Sequence, residues 1–174
     1  MRPIIYQVAA SLDGYIAGPN GEIDWIVHDP TIPMSTSMYR TVDTVLLGRR
    51  TYEMTLQPGA PKWPTGWRIF VFSRTLRAEA HRGVTVVSDD AGAVLHALRA
   101  ESGGDIWLFG GASLFATALA EHAVDRVDVA VNPVLLGGGL PIVSGIERTR
   151  LRLTESRAYP SGIVSLRYAV DRAA

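Results

Sequence analysis

At 174 residues the chain fits one domain, since domains usually run about 100 to 200 residues. A hydrophobic content of 47% against 20% charged residues supplies a core, and the absence of cysteine excludes thiolate catalysis, Cys-ligated metal and a disulfide framework. Seventeen basic residues balance seventeen acidic ones, so no net field draws in a nucleic acid or an anionic membrane, and any anion site must be local.

The first predicted element is a strand, Ile4–Ala10, apolar throughout as strands covered on both faces tend to be. A long turn over Gly18–Trp25 follows, then a helix over Ser37–Val42, a strand Thr44–Leu47 and a short helix after Arg49. Gln57–Gly66 carries Pro58, Gly59, Pro61, Pro64 and Gly66, which makes it an irregular surface loop. Strands Arg68–Phe72 and Val84–Val87 come next. Ala91, Val94, Leu95 and Leu98 then recur at helical spacing behind Ser88-Asp89-Asp90, whose side chains suit an N-cap, and this helix ends near Gly103-Gly104. A strand Ile106–Phe109 leads into a helix from Gly110-Gly111 to about His122. After it the pattern changes: Val127, Val129 and Val131 alternate with smaller or polar residues, as in a half-exposed strand. Leu151–Tyr159 and Ile163–Val170 flank the turn Pro160-Ser161-Gly162 and form an antiparallel hairpin at the sheet edge. The expected fold is a single α/β domain, three-layered α/β/α, with a mixed, mainly parallel sheet of about eight strands.

Three strand exits carry the chemistry. Leu47-Gly48-Arg49-Arg50-Thr51-Tyr52 runs from a strand directly into a helix start, where free N–H groups and guanidinium groups suit a phosphate. Phe72-Ser73-Arg74-Thr75 is a second polar exit, and Phe109-Gly110-Gly111-Ala112-Ser113-Leu114-Phe115 is a third, whose paired glycines let a phosphate approach the backbone. All three lie at strand C-terminal ends, where open α/β sheets bind ligands. For each, a tight turn or a solvated loop is the bland alternative. Arginine outnumbers lysine heavily; Lys62 is the single lysine, so Schiff-base chemistry is not expected. The histidines His28, His81, His96 and His122 show no metal-ligand spacing, and no metal is expected. No apolar run approaches the roughly 20 residues that span a bilayer, and no apolar leader opens the chain, so a cytoplasmic protein without a membrane partner is expected.

Taken in order, Gly48-Arg49-x-Thr51, Ser73-Arg74 and Gly110-Gly111-x-x-x-Phe115 resemble the cofactor motifs of dihydrofolate reductase. Ala10-Ser11-Leu12-Asp13-Gly14-Tyr15-Ile16-Ala17 and Asn132-Pro133-Val134-Leu135-Leu136-Gly137-Gly138-Gly139 resemble one branch of that superfamily, the C-terminal domain of riboflavin-biosynthesis deaminase-reductases. The resemblance implies an NADPH-dependent reductase of a small heterocyclic, carbonyl or imine substrate. By default this is a ribosylaminopyrimidine, with dihydrofolate second. It implies that Gly48, Arg49, Arg50 and Thr51 hold cofactor phosphates, that Ser73 and Arg74 meet the adenosine 2′-phosphate, and that the stretch Phe109, Gly110, Gly111, Ala112, Ser113, Leu114 and Phe115 contacts the cofactor around its pyrophosphate. Ala9, Ile16 and Ala17 are then expected at the nicotinamide end, beneath a closing loop over Gly18–Trp25. It also implies a homodimer joined through the C-terminal strands.

Two positions depart from that branch: Tyr15 stands where a lysine is typical, and Phe109 where an acidic residue is typical. Asp13 is the leading ionisable candidate on the substrate side, with Tyr15, Trp25 and Tyr52 as pocket walls; the alternative for Asp13 is a turn residue that satisfies backbone N–H groups. A non-catalytic NADPH-binding module and a purely structural dimerisation domain are the rival readings.

Overall fold

The computed structural model describes residues 1–32, 40–60 and 62–171. Along the chain come β1 (Ile4–Ser11), β2 (Tyr15–Ala17), β3 (Val42–Gly48), α1 (Arg49–Thr55), β4 (Arg68–Phe72), β5 (Thr85–Val87), α2 (Ala91–Ala100), β6 (Asp105–Gly110), α3 (Ala112–Ala120), β7 (Arg126–Asn132), β8 (Leu140–Pro141), β9 (Leu151–Ala158) and β10 (Val164–Val170). Eight of these strands form one sheet in the order β5-β4-β3-β6-β1-β7-β10-β9, while β2 and β8 pair separately. From β5 to β7 every neighbour is parallel; β10 then runs antiparallel to β7 and to β9.

Strand alternation divides the core into two layers. On β3, Leu46 faces a large cluster with Ile4, Tyr6, Ile106 and Leu108, which α2 and α3 cover with Leu95, Leu98, Leu114, Phe115, Ala118 and Leu119. Val45 and Leu47 face the other way, against Val71 and Tyr52 of α1. Helices therefore lie on both faces, giving the expected α/β/α layering. Asp90 begins α2 as anticipated, its carboxylate accepting from Ala93 N at 2.9 Å. Almost wholly buried Arg2 donates to Gly104 O and Thr44 Oγ1, each at 2.7 Å, and pairs with Asp43, which fastens the start of the chain to the β3 and β6 entrances.

Two elements go beyond the expected ones. β2 and β8, of three and two residues, are too short to show a period of their own. They pair because Gly139, at φ +140°, lets the chain press against β2: a Cβ there would lie 2.2 Å from Ala17 O. The helix expected over Ser37–Val42 falls largely outside the described residues; Arg40 and Thr41 form a turn, and Val42 already belongs to β3. The hairpin turn at Pro160-Ser161-Gly162 closes as expected, with Gly162 N donating to Tyr159 O at 2.9 Å.

Candidate active site

The C-terminal ends of β3, β4, β5 and β6 surround a cleft of about 730 Å³. Gly48, Arg49, Arg50 and Thr51 line it from the β3–α1 junction, Ser73 and Arg74 from the end of β4, and Gly111, Ala112, Ser113 and Leu114 from the start of α3. The three motifs singled out in the sequence, more than twenty residues apart along the chain, thus meet in one place. They meet because the parallel order β4-β3-β6 puts these strand ends side by side.

Close packing at the floor depends on glycine. A Cβ on Gly48 would lie 3.4 Å from Gly111 N, and one on Gly111 would lie 3.3 Å from Thr51 Oγ1. The Gly110–Gly111 peptide is cis. Neither α1 nor α3 has a side-chain N-cap, so their first N–H groups remain available to an anion at the cleft floor. Three guanidinium groups stand around the rim. Arg49 is held by Glu53 Oε1 at 2.7 Å and Thr75 Oγ1 at 2.6 Å. Arg50 and Arg74, both exposed, have no ion pair among the described residues. Bare helix starts, a glycine-lined floor and unpaired arginines are the donor set that a dinucleotide phosphate requires. Ser73 Oγ is occupied in its own turn, accepting from Thr75 N at 3.2 Å and Leu76 N at 3.0 Å.

The β5 side of the cleft was not foreseen. Ser88, Asp89 and Asp90 from the exit of β5 line it, together with Thr75, Thr117 and Leu140. In the sequence Ser88–Asp90 show only the pattern of a helix cap, and Leu140 sits on β8, which is too short to show a period.

Several expected contacts fall elsewhere. Phe115 does not line the cleft: only 4% exposed, it stacks on Tyr6 with ring centroids 3.7 Å apart, inside the layer under α3. The helical turn that brings Leu114 to the cleft carries Phe115 inward. Phe109 and Gly110 are likewise outside the cleft lining; Phe109 points to the opposite face of β6, among Trp63, Trp67 and Trp107. Tyr52 is a core residue on that same face, 4% exposed, with its hydroxyl 3.1 Å from His81 Nδ1. Burial raises its pKa above the ordinary phenol value. Ala9 and Ala17 lie beyond the cleft, on β1 and β2, and Ile16 is half-buried between Tyr15 and Ala17.

Asp13 acts as a fastener. Its carboxylate accepts from Ser11 Oγ at 2.6 Å, Gly137 N at 2.7 Å and Leu136 N at 3.1 Å, tying the β1–β2 turn to the glycine-rich loop before β8. The Ser11 hydrogen bond, followed by those of the two loop amides, lowers its pKa. That geometry matches the turn-residue alternative and suits an acceptor. Trp25 is half-buried and donates through Nε1 to Glu22 O at 3.0 Å, so it stiffens its own turn. Glu22 accepts from Asn20 N and Nδ2 at 2.9 and 2.6 Å, and its carboxyl is lowered chiefly by the Asn20 side chain. A residue quoted above only as part of a motif anchors this segment: Asn132, 1% exposed at the end of β7, accepts from Val27 N at 2.9 Å. Its position directly before Pro133, at a strand end, was the available signal.

Among the described residues no group of three or more His, Cys, Asp or Glu could hold a metal ion, and no helix is long and apolar enough to cross a membrane.

Comparison with known proteins is consistent along the whole chain. It is 33% identical to the uncharacterized protein YyaP of Bacillus subtilis (strain 168), over 96% of this chain and 94% of that one. The crystal structure of a putative riboflavin biosynthesis protein from Shewanella sp. PV-4 superposes with a TM-score of 0.85 at 25% identity, covering 98% of this chain and 99% of that one. Dihydrofolate reductase from Enterococcus faecalis, complexed with NADP(H), shares the fold at a TM-score of 0.68 and 18% identity, over 98% and 97% of the two chains. A family profile described as the RibD C-terminal domain matches residues 2–165, and the chain belongs to that family.

Proposed function

We propose that the protein is an NADPH-dependent reductase that delivers hydride to a small heterocyclic, carbonyl or imine substrate. The observation that carries this reading is the convergence of Gly48–Thr51, Ser73–Arg74 and Gly111–Leu114 on one cleft with two uncapped helix starts. Family membership and reductase neighbours support an oxidoreductase, and the Enterococcus enzyme's complex with NADP(H) supports the cofactor.

Bound, NADPH supplies the hydride; the chain supplies placement. Arg49, Arg50 and Thr51 with the α1 and α3 starts hold the diphosphate. Arg74 answers the extra phosphate that distinguishes NADPH from NADH. Ala9, Ile16 and Ala17, beyond the cleft on β1 and β2, would face the nicotinamide end, and the turn at 18–25, anchored through Val27 to Asn132, would shield that end from water. Within this class the family default is a 5-amino-6-(5-phosphoribosylamino)uracil-type substrate and dihydrofolate is second. A cytoplasmic homodimer joined through β9 and β10 completes the reading.

Two charges of opposite sign at one end of the cleft give a sharp test by NADPH fluorescence titration. Arg74→Ala removes an attraction to the 2′-phosphate and is expected to weaken NADPH binding about tenfold with little effect on NADH, as about 1.4 kcal/mol of a charge-assisted contact implies. Asp89→Asn removes a repulsion at an exposed site and is expected to tighten NADPH about two- to fivefold. No binding of either nucleotide at millimolar concentration rules the reading out; binding without turnover of either family substrate leaves a nucleotide-binding module.

A further inference from the structure

At the end of the sheet opposite the cleft lies a second cavity, of about 600 Å³. β10 runs antiparallel to β7, so Ala169 sits beside Arg126 at the start of β7, and the end of β10 forms one side of this cavity. The last turn of α3 forms another side, and the segment 145–150 a third. That segment is held at both ends. Ile146 packs against the main core, and Asp171 N, the residue after β10, donates to Arg150 O at 3.0 Å. It therefore bridges α3 and β10 without filling the space between them. Helix α3 joins the two sites, opening at the cleft with Ala112–Leu114 and closing at the cavity with Leu119 and Ala120.

The lining divides by polarity. Leu119, Val124, Ile146 and Val170 make its apolar wall, with Leu119 and Val124 buried in the core. Glu147, Arg148 and Arg150 stand at its exposed margin, and none of the three has an ion pair among the described residues. His122 and Asp171 are the other ionisable groups of the lining, and Asp171 lies 3.8 Å from Arg152 Nε. The C-terminal end of α3 adds the negative potential of its last carbonyls.

Both signs of charge therefore border one apolar wall. A carboxylate without an ammonium group finds the two guanidinium groups but is opposed by Glu147, Asp171 and the helix end. An amine without a carboxylate is opposed by Arg148 and Arg150. A zwitterion satisfies both, since guanidinium groups pair with a carboxylate and the helix end favours a cation. The volume is within the range of about 300–1,000 Å³ usual for small-molecule pockets, which leaves room for a large side chain on the wall.

We propose that this cavity binds a free α-amino acid with a large apolar side chain: its carboxylate on Arg148 and Arg150, its ammonium group toward Glu147 and the end of α3, and its side chain on Leu119, Val124, Ile146 and Val170. The site is separate from the cofactor cleft and does not depend on the reductase reading.

The test is isothermal titration calorimetry of the full chain with L-phenylalanine and L-leucine, and with three probes that each lack one feature. 3-Phenylpropionate lacks the ammonium group, 2-phenylethylamine the carboxylate, and L-alanine the large side chain. Each probe is expected to bind at least about tenfold more weakly than the better of the two amino acids. Arg148→Gln and Arg150→Gln, both at exposed positions, are each expected to weaken that amino acid about tenfold. Glu147→Gln is expected to weaken it about threefold while leaving 3-phenylpropionate no weaker than in the parent. NADPH affinity stays unchanged in all three variants. No binding of either amino acid up to about 10 mM, equal affinity for L-phenylalanine and 3-phenylpropionate, or full affinity in both arginine variants overturns the proposal and leaves the reductase reading in place. Amino-acid binding that the arginine variants weaken, in a protein that takes no NADPH, supports this site and removes the reductase reading instead.

Discussion

The Asp13 carboxylate accepts three hydrogen bonds, the strongest influence being that from Ser11, and each favours its ionised form. Its folded pKa therefore lies below the ordinary 3.8. A group with a depressed folded pKa contributes stability above its unfolded value and loses that contribution as pH falls through the lower folded value. The fastening of the 136–137 loop is thus complete at neutral pH and is lost as pH falls through the lowered value. Asp13→Asn is expected to leave every limb of the pH–rate profile between about pH 5 and 9 in place, while speeding amide exchange at Leu136 and Gly137. A limb that vanishes from this range in the variant restores Asp13 as the proton donor.

Helix α3 shows how one element serves the cleft and the core at once. Gly111, Ala112 and Ser113 open it at the cleft, and one residue past Leu114 the ring of Phe115 is locked onto Tyr6. Phe115→Ala is expected to cost about 3–5 kcal/mol in urea denaturation, as aromatic truncations in a packed core do. Phe115→Leu costs less and keeps NADPH affinity within about threefold. A large affinity loss in the folded Leu variant assigns Phe115 back to the cofactor. The same helix marks the limit of what the sequence discloses. Long apolar strands and the glycine-arginine exits were legible because each is a local pattern: buried strands read as continuous apolar runs, and strand-to-helix turns need glycine. The inward turn of Phe115, the burial of Tyr52 and the arrival of Asp89 at the cleft depend on which strands become neighbours, and no local pattern carries that. β2 and β8 failed for a different reason, since they exist only through each other and through the Gly139 contact with Ala17.

For the whole molecule, the open question of packing lies at the β9–β10 end of the sheet. All eight residues of β9 are exposed, and it pairs on one side only, with β10. Register places Leu151 opposite Val170 and Leu153 opposite Tyr168, on the face where Tyr168 and Val170 reach the main core. Val164, Leu166, Tyr168 and Val170 are half-buried, and Leu151 and Leu153 are 43% and 51% exposed, so the strip is least covered at the β9 edge. The opposite face of the same hairpin is charged, with Arg167 joined to Asp128 and Glu155. The homodimer proposed above would cover this apolar face with a second copy related by a twofold axis, because the same patch then serves both partners. Leu153→Arg is expected to convert the proposed dimer into a monomer in size-exclusion chromatography with light scattering at micromolar concentration. Since Leu153 is half-exposed within one chain, the variant should denature at an unchanged midpoint once both forms are compared as monomers. A parent protein that elutes as a monomer, or a Leu153→Arg variant that remains dimeric, places the partner surface elsewhere and leaves the cleft argument untouched.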